Sequence, residues 1–134
     1  MTVSASGDQA NSKSYKGLVV WQKAMDLVKR VYQLTEDFPD REKYGLVAQM
    51  RRATISVPSN IAEGQARRSV REFIQFVSHA EGSAAELETQ LILSTDLGYC
   101  PNARVQETLA VLDEIRKMLG ALSRKLASGI PTKN

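Results

Sequence analysis

The chain of 134 residues contains one cysteine and one histidine, and only 6% of it is aromatic. Cys100 stands alone, so no intrachain disulfide can form, which fits a reducing compartment. His79 is the single histidine and Phe76 occupies the position three before it, so the paired Glu-x-x-His motifs of a di-iron carboxylate bundle are missing. A metal site needs several convergent ligands, and His79 reads instead as a helix-surface or interface residue. Glycine-rich phosphate loops, a Walker-type lysine and a serine-hydrolase elbow are also missing, and Cys100 has no second cysteine or activating base in its motif. No catalytic residue, metal or other cofactor is therefore expected. Apolar runs fall short of a membrane span, and the first residues lack the hydrophobic centre of a signal peptide. The expectation is a non-enzymatic, cytoplasmic protein without a membrane partner.

The composition, 43% hydrophobic and 25% charged, is that of one ordinary globular domain with a substantial core. The net charge of +3 permits anionic partners without demanding them. Four helical patterns follow one another, with no strand-like alternation. The first buries Trp21, Ala24, Val28, Val31, Thr35 and Phe38 beside Val20, Leu27 and Leu34. Asp40 is read as the N-cap of the second, which carries Leu46, Met50, Ala53, Val57 and Ile61. Ser69 and Glu72 form a capping box that opens the third, and Gly98 closes it. The fourth begins at Pro101 and Asn102, and Val105, Leu109, Leu112, Ile115, Leu119, Leu122 and Leu126 form its apolar seam. Short connections between long helices make antiparallel neighbours, so the expected fold is an all-α, up-down-up-down four-helix bundle over residues 17–128. Residues 1–16 read as a disordered polar leader and 129–134 as a flexible tail.

The segment Ser56-Val57-Pro58-Ser59-Asn60-Ile61-Ala62-Glu63-Gly64 is unusual, because its proline lies inside a helical pattern. Pro58 has no N–H for the carbonyl of Thr54, so the second helix is expected to kink there. Ser56, Ser59 and Asn60 are placed to satisfy what the kink frees. Together with Val20-Trp21-Gln22-Lys23-Ala24, Gln49-Met50-Arg51-Arg52-Ala53 and Glu81 to Leu91, this segment resembles the four-helix bundle proteins encoded within intervening sequences of bacterial 23S ribosomal RNA genes. The pattern is also similar to a related branch, the accessory variability determinant of diversity-generating retroelements, a basic bundle that works with a reverse transcriptase and its RNA. The resemblance implies a ring-shaped homopentamer.

The residues themselves also point to an oligomer. Ile55, Ile74, Ile92 and Leu93 lie off the main seams, and a lone bundle would leave some of them wet. Gly82, Ser83, Ala84 and Ala85 form a small-residue patch whose glycine costs about 1 kcal/mol in a helix interior, so close packing against a backbone, within the chain or between subunits, is expected there.

Charge is uneven along the chain. Residues 41–72 carry seven basic side chains against three acidic ones, whereas residues 73–98 carry Glu81, Glu86, Glu88 and Asp96 with no lysine or arginine. Arg51, Arg52, Arg67, Arg68 and Arg71 are the candidate contacts to RNA or DNA phosphates, with the third helix's N-terminal amides assisting. Solvated or ion-paired arginines are the alternative at even weight. Glu63 and Glu86 are expected to hold Arg51, Arg52 or Arg67 across helices. Two functions remain: an oligomeric nucleic-acid-binding bundle, or a scaffold for a protein partner such as a reverse transcriptase.

Overall fold

Each helix forms because its apolar residues recur at spacings of three and four. The computed structural model describes residues 14–130, and there α1 spans Val19–Thr35. Its buried side chains are Val20, Ala24, Leu27, Val31, Leu34 and Thr35, a continuous inward stripe. Trp21 and Val28 lie at the margin of that stripe and are half-buried. A 3-10 turn, Tyr15–Gly17, precedes the helix and sets the Tyr15 ring edge-on to Trp21, 5.2 Å between centroids. Of the segments read as leader and tail, residues 1–13 and 131–134 lie outside the described residues.

The entry to α2 differs from the sequence reading. Asp40 does not cap this helix; it opens a short 3-10 turn, Asp40–Glu42, and α2 runs from Leu46 to Gln65 with Gly45 at its N-cap position. The capping acceptor is Glu42, whose Oε1 accepts from the N–H of Leu46 at 3.1 Å. Helix α2 passes through Pro58 without ending. The polar neighbours of the proline act two residues later than expected: the Asn60 amide donates to the carbonyl and hydroxyl of Ser56, both at 2.8 Å, instead of serving Thr54.

Helix α3, Val70–Asp96, starts at the anticipated cap, with Ser69 Oγ accepting from the Glu72 N–H at 3.1 Å. The Glu72 carboxylate accepts from that same hydroxyl at 3.0 Å. At the other end Gly98 adopts a φ of +76°, and the N–H groups of Gly98 and Tyr99 close onto the carbonyls of Thr95 and Ser94, a Schellman pattern. Helix α4 spans Asn102–Ser128, with Pro101 immediately before it. Thr108, not Leu109, occupies the seam between Val105 and Leu112. Its hydroxyl donates to the Arg104 carbonyl at 3.3 Å, which permits burial.

The helices pack as a closed ring in chain order: α1 on α2, α2 on α3, α3 on α4, and α4 back on α1. The diagonal pairs do not approach one another. Between them lies one core of side chains including Leu27, Met50, Ile61, Leu87, Leu91, Leu112, Ile115 and Leu119. Helices α2 and α3 approach closely at Gly64, where an added Cβ would lie 2.8 Å from the Phe76 Cβ and 2.9 Å from Phe73 Cδ1. Gly82 is the reverse case. It is exposed, with nothing within 4 Å of a Cβ built there, so the close packing expected of it does not occur within the chain.

Candidate nucleic-acid interface

The five candidate arginines divide into two groups. Arg51 and Arg52 lie in the first two turns of α2, while Arg67, Arg68 and Arg71 surround its far end and the start of α3. At 1.5 Å per helical residue the two groups are about 20 Å apart.

Arg51 is half-buried and engaged within the chain. Its Nε donates to Thr35 Oγ1 at 3.0 Å, its Nη2 donates to the Tyr32 carbonyl at 3.3 Å, and its guanidinium lies 4.4 Å from the Tyr32 ring centroid. Those contacts tie α2 to the last turn of α1. Arg52 is exposed and hydrogen-bonded to Gln49 on the preceding turn.

The α2–α3 turn has a different character. Arg67 makes an ion pair of 3.4 Å with Glu63 and covers the Phe76 ring at 4.8 Å. Both partners of the ion pair are well exposed, so it contributes little to stability. It joins residues four apart on one strand of chain and does not bridge helices. Arg68 and Arg71 are exposed and make no ion pair or hydrogen bond among the described residues. Of the first-turn amides of α3, expected to help hold an anion, that of Glu72 is taken by the Ser69 hydroxyl, and the Glu72 carboxylate adds negative charge to that turn.

Glu86 is exposed, and its contact is with Gln90 at 3.5 Å, not with an arginine. The acidic helix α3 is tied to α4 through Arg116 and Glu88 at 2.8 Å, and α1 to α4 through Lys23 and Glu114 at 2.9 Å.

A polar cluster that sequence reasoning missed joins the two loops at the opposite end of the bundle. Tyr99 donates its hydroxyl to Glu42 Oε2 at 2.7 Å, and the Arg41 guanidinium lies 5.6 Å from the Tyr99 ring. The Tyr99 hydroxyl, the Leu46 amide and Arg41 hold the Glu42 carboxyl below its ordinary pKa, against a smaller opposing effect of burial. The Tyr99 hydroxyl is pushed up, first by its bond to Glu42 and then by burial. The one local signal was an acidic residue four positions before the first apolar residue of α2. Cys100, just beyond, is buried, and burial pushes its thiol up. His79 is exposed beside Phe76, 5.7 Å between ring centroids. Among the described residues no group of three or more histidine, cysteine, aspartate or glutamate side chains is placed to hold a metal. No helix there is long and apolar enough to cross a membrane.

A sequence profile described as 23S rRNA-intervening sequence protein matches residues 16–121. A solved structure of a protein of unknown function, from the S23 ribosomal protein family of Bacteroides thetaiotaomicron, superposes with a TM-score of 0.71 at 23% identity. The match covers 78% of this chain and 98% of that one, and at this identity the likeness is one of fold. No curated protein matches the chain.

Proposed function

Taking as premise that this chain belongs to the 23S rRNA-intervening sequence protein family, we propose that it is a non-enzymatic, oligomeric bundle of the cytoplasm that binds nucleic acid through phosphate contacts. The observation that carries this reading is the α2–α3 turn, where Arg68 and Arg71 extend from the bundle without a partner among the described residues and Arg67 stands beside them. Free guanidinium groups on a rigid turn are suited to phosphate oxygens, which they contact without reading sequence. Assembly would repeat the turn, and several weak sites on one particle act together through effective concentration. The ribosomal RNA context in the family's description makes RNA the first ligand to try.

The test is binding of a structured RNA and a matched duplex DNA across a salt series, with the Arg67→Glu/Arg68→Glu variant beside the wild type. Tight binding that weakens steeply with salt and is lost in the folded variant is the expected result. Failure of the wild type to bind either polymer at low salt would overturn the reading. A protein-binding scaffold would then take its place, favoured by the exposed apolar residues Ile92, Leu93 and Leu97.

A further inference from the structure

Residues 66–72 are exposed without a break, the longest such run among the described residues. They form the turn between α2 and α3 and the first residues of α3. Ser69 lies in the middle of the run's charge, with Arg67 and Arg68 directly before it and Arg71 two residues after. No other serine of the chain has two arginines directly before it. The backbone at Ser69 is extended, with φ −107° and ψ 145°, so its hydroxyl is carried on open chain. Val70, which follows, is apolar and 43% exposed.

The Ser69 hydroxyl is held only locally. It accepts from the Glu72 N–H at 3.1 Å and donates to Glu72 Oε1 at 3.0 Å, both on the first turn of α3. An exposed terminal turn opens at low cost, which frees the hydroxyl without disturbing the core. Three arginines against the Glu72 carboxylate give residues 66–72 a charge of +2. Arg68 and Arg71 make no ion pair or hydrogen bond among the described residues.

We propose that Ser69 is a phosphorylation site whose phosphate switches off the arginine surface around it. The inference rests on the nucleic-acid reading above and supplies its regulation. Charge pattern is one means by which kinases select substrates, and two arginines before an exposed serine suit an acid-lined kinase cleft. In the transfer, Ser69 Oγ attacks the γ-phosphorus of ATP. The new O–P bond forms as the bond from that phosphorus to the bridging oxygen breaks, ADP leaves, and the hydroxyl proton passes to the kinase's carboxylate base. The product carries a charge of about −1.5 to −2 at neutral pH, which brings the turn close to neutral. Its oxygens accept from Arg68 and Arg71, the same guanidinium groups that an RNA phosphate would use. The esterified Oγ has no proton left for Glu72, so that carboxylate loses its bond and is repelled from the turn.

The test incubates the full chain with ATP and a soluble extract of its own cells, and separately with a purified serine kinase that selects arginine before its target. Tandem mass spectrometry maps the phosphate, which is expected on Ser69 in both. Ser69→Asn keeps a capping side chain but has no hydroxyl. It is expected to take no phosphate at residue 69 and to bind RNA as the wild type does, with circular dichroism confirming the fold. The phosphorylated chain is expected to bind RNA about tenfold or more weakly at about 0.1 M salt, with a salt slope smaller by about 1.5, the share of two neutralised phosphates. Phosphatase treatment should restore both values. Ser69 left unmodified in either incubation overturns the site and leaves the RNA reading standing. Phosphate on Ser69 with unchanged RNA binding overturns the switch. A wild type that binds no RNA at low salt overturns the nucleic-acid reading and the switch with it.

Discussion

The backbone of Gly64 lies so close to Phe76 that a methyl group on residue 64 would sit 2.8 Å from the Phe76 β-carbon. A β-carbon is fixed to its own backbone and cannot swing aside, so α2 and α3 would have to separate. Gly64→Ala sets a helix-propensity gain of about 1 kcal/mol against an overpacking cost of about 1–3 kcal/mol, and the cost wins. The expected result is a lower urea midpoint with an unchanged m-value.

Gly82→Ala is the companion experiment. Its new methyl meets nothing in the chain, so it is expected to raise stability by about 0.5–1 kcal/mol, read by urea unfolding. The same class of substitution thus has opposite signs at two glycines of one bundle.

Arg51 and Arg68 separate stability from binding. Arg51→Met removes the bonds to Thr35 and Tyr32 and is expected to cost about 1 kcal/mol of stability without changing RNA affinity. Arg68→Ala is expected to leave the urea midpoint in place. It should reduce the salt slope of RNA binding by about 0.7–0.9, the share of a single neutralised phosphate.

The Glu42–Tyr99 bond makes stability depend on pH at both extremes. Glu42 has a lowered folded pKa, so its contribution is complete above the ordinary glutamate range and is lost as pH falls through the lowered value. Tyr99 has a raised folded pKa, so its contribution is complete below the ordinary tyrosine value and is lost as pH rises through the raised one. Tyr99→Phe is expected to remove the alkaline component and diminish the acidic one. Thermal unfolding of both proteins across the pH range provides the check.

Cys100 is expected to resist alkylation at mildly alkaline pH until the protein unfolds, since its thiol is buried and its ionisation disfavoured. The rate of modification should follow the unfolded fraction as urea is added.

The helices were legible because each long periodic stripe is one buried face, and Ser69, Gly98 and Pro101 mark three of the ends by local chemistry alone. Asp40 misled because its backbone is taken up in a 3-10 turn, and the acceptor for α2 comes from Glu42 two residues later. The packing at the two glycines was not legible for a related reason. A sequence shows that a helix tolerates glycine, but the crossing point of two helices decides which glycine is crowded, and that point lies at residue 64. The arginines looked like one cluster because residues 51–71 are near in sequence, yet most of that stretch is one continuous helix that holds its ends apart. Tertiary contacts then removed Arg51 from the surface set, something that spacing along the chain does not encode.

The ring of helix contacts also determines how this chain reaches its fold. Three of its four interfaces join helices that follow each other in sequence, so each can form as a local hairpin with a small entropic cost of closure. The fourth, α1 against α4, joins the two ends of the domain and must wait for the other three. Folding therefore has one long-range step and otherwise low contact order, which belongs to the fast end of the range for small domains. The same arrangement leaves the start of α1 and the end of α4 at one end of the bundle, so a circular permutant that links them and opens the α2–α3 turn would exchange the roles of the local and the closing interface.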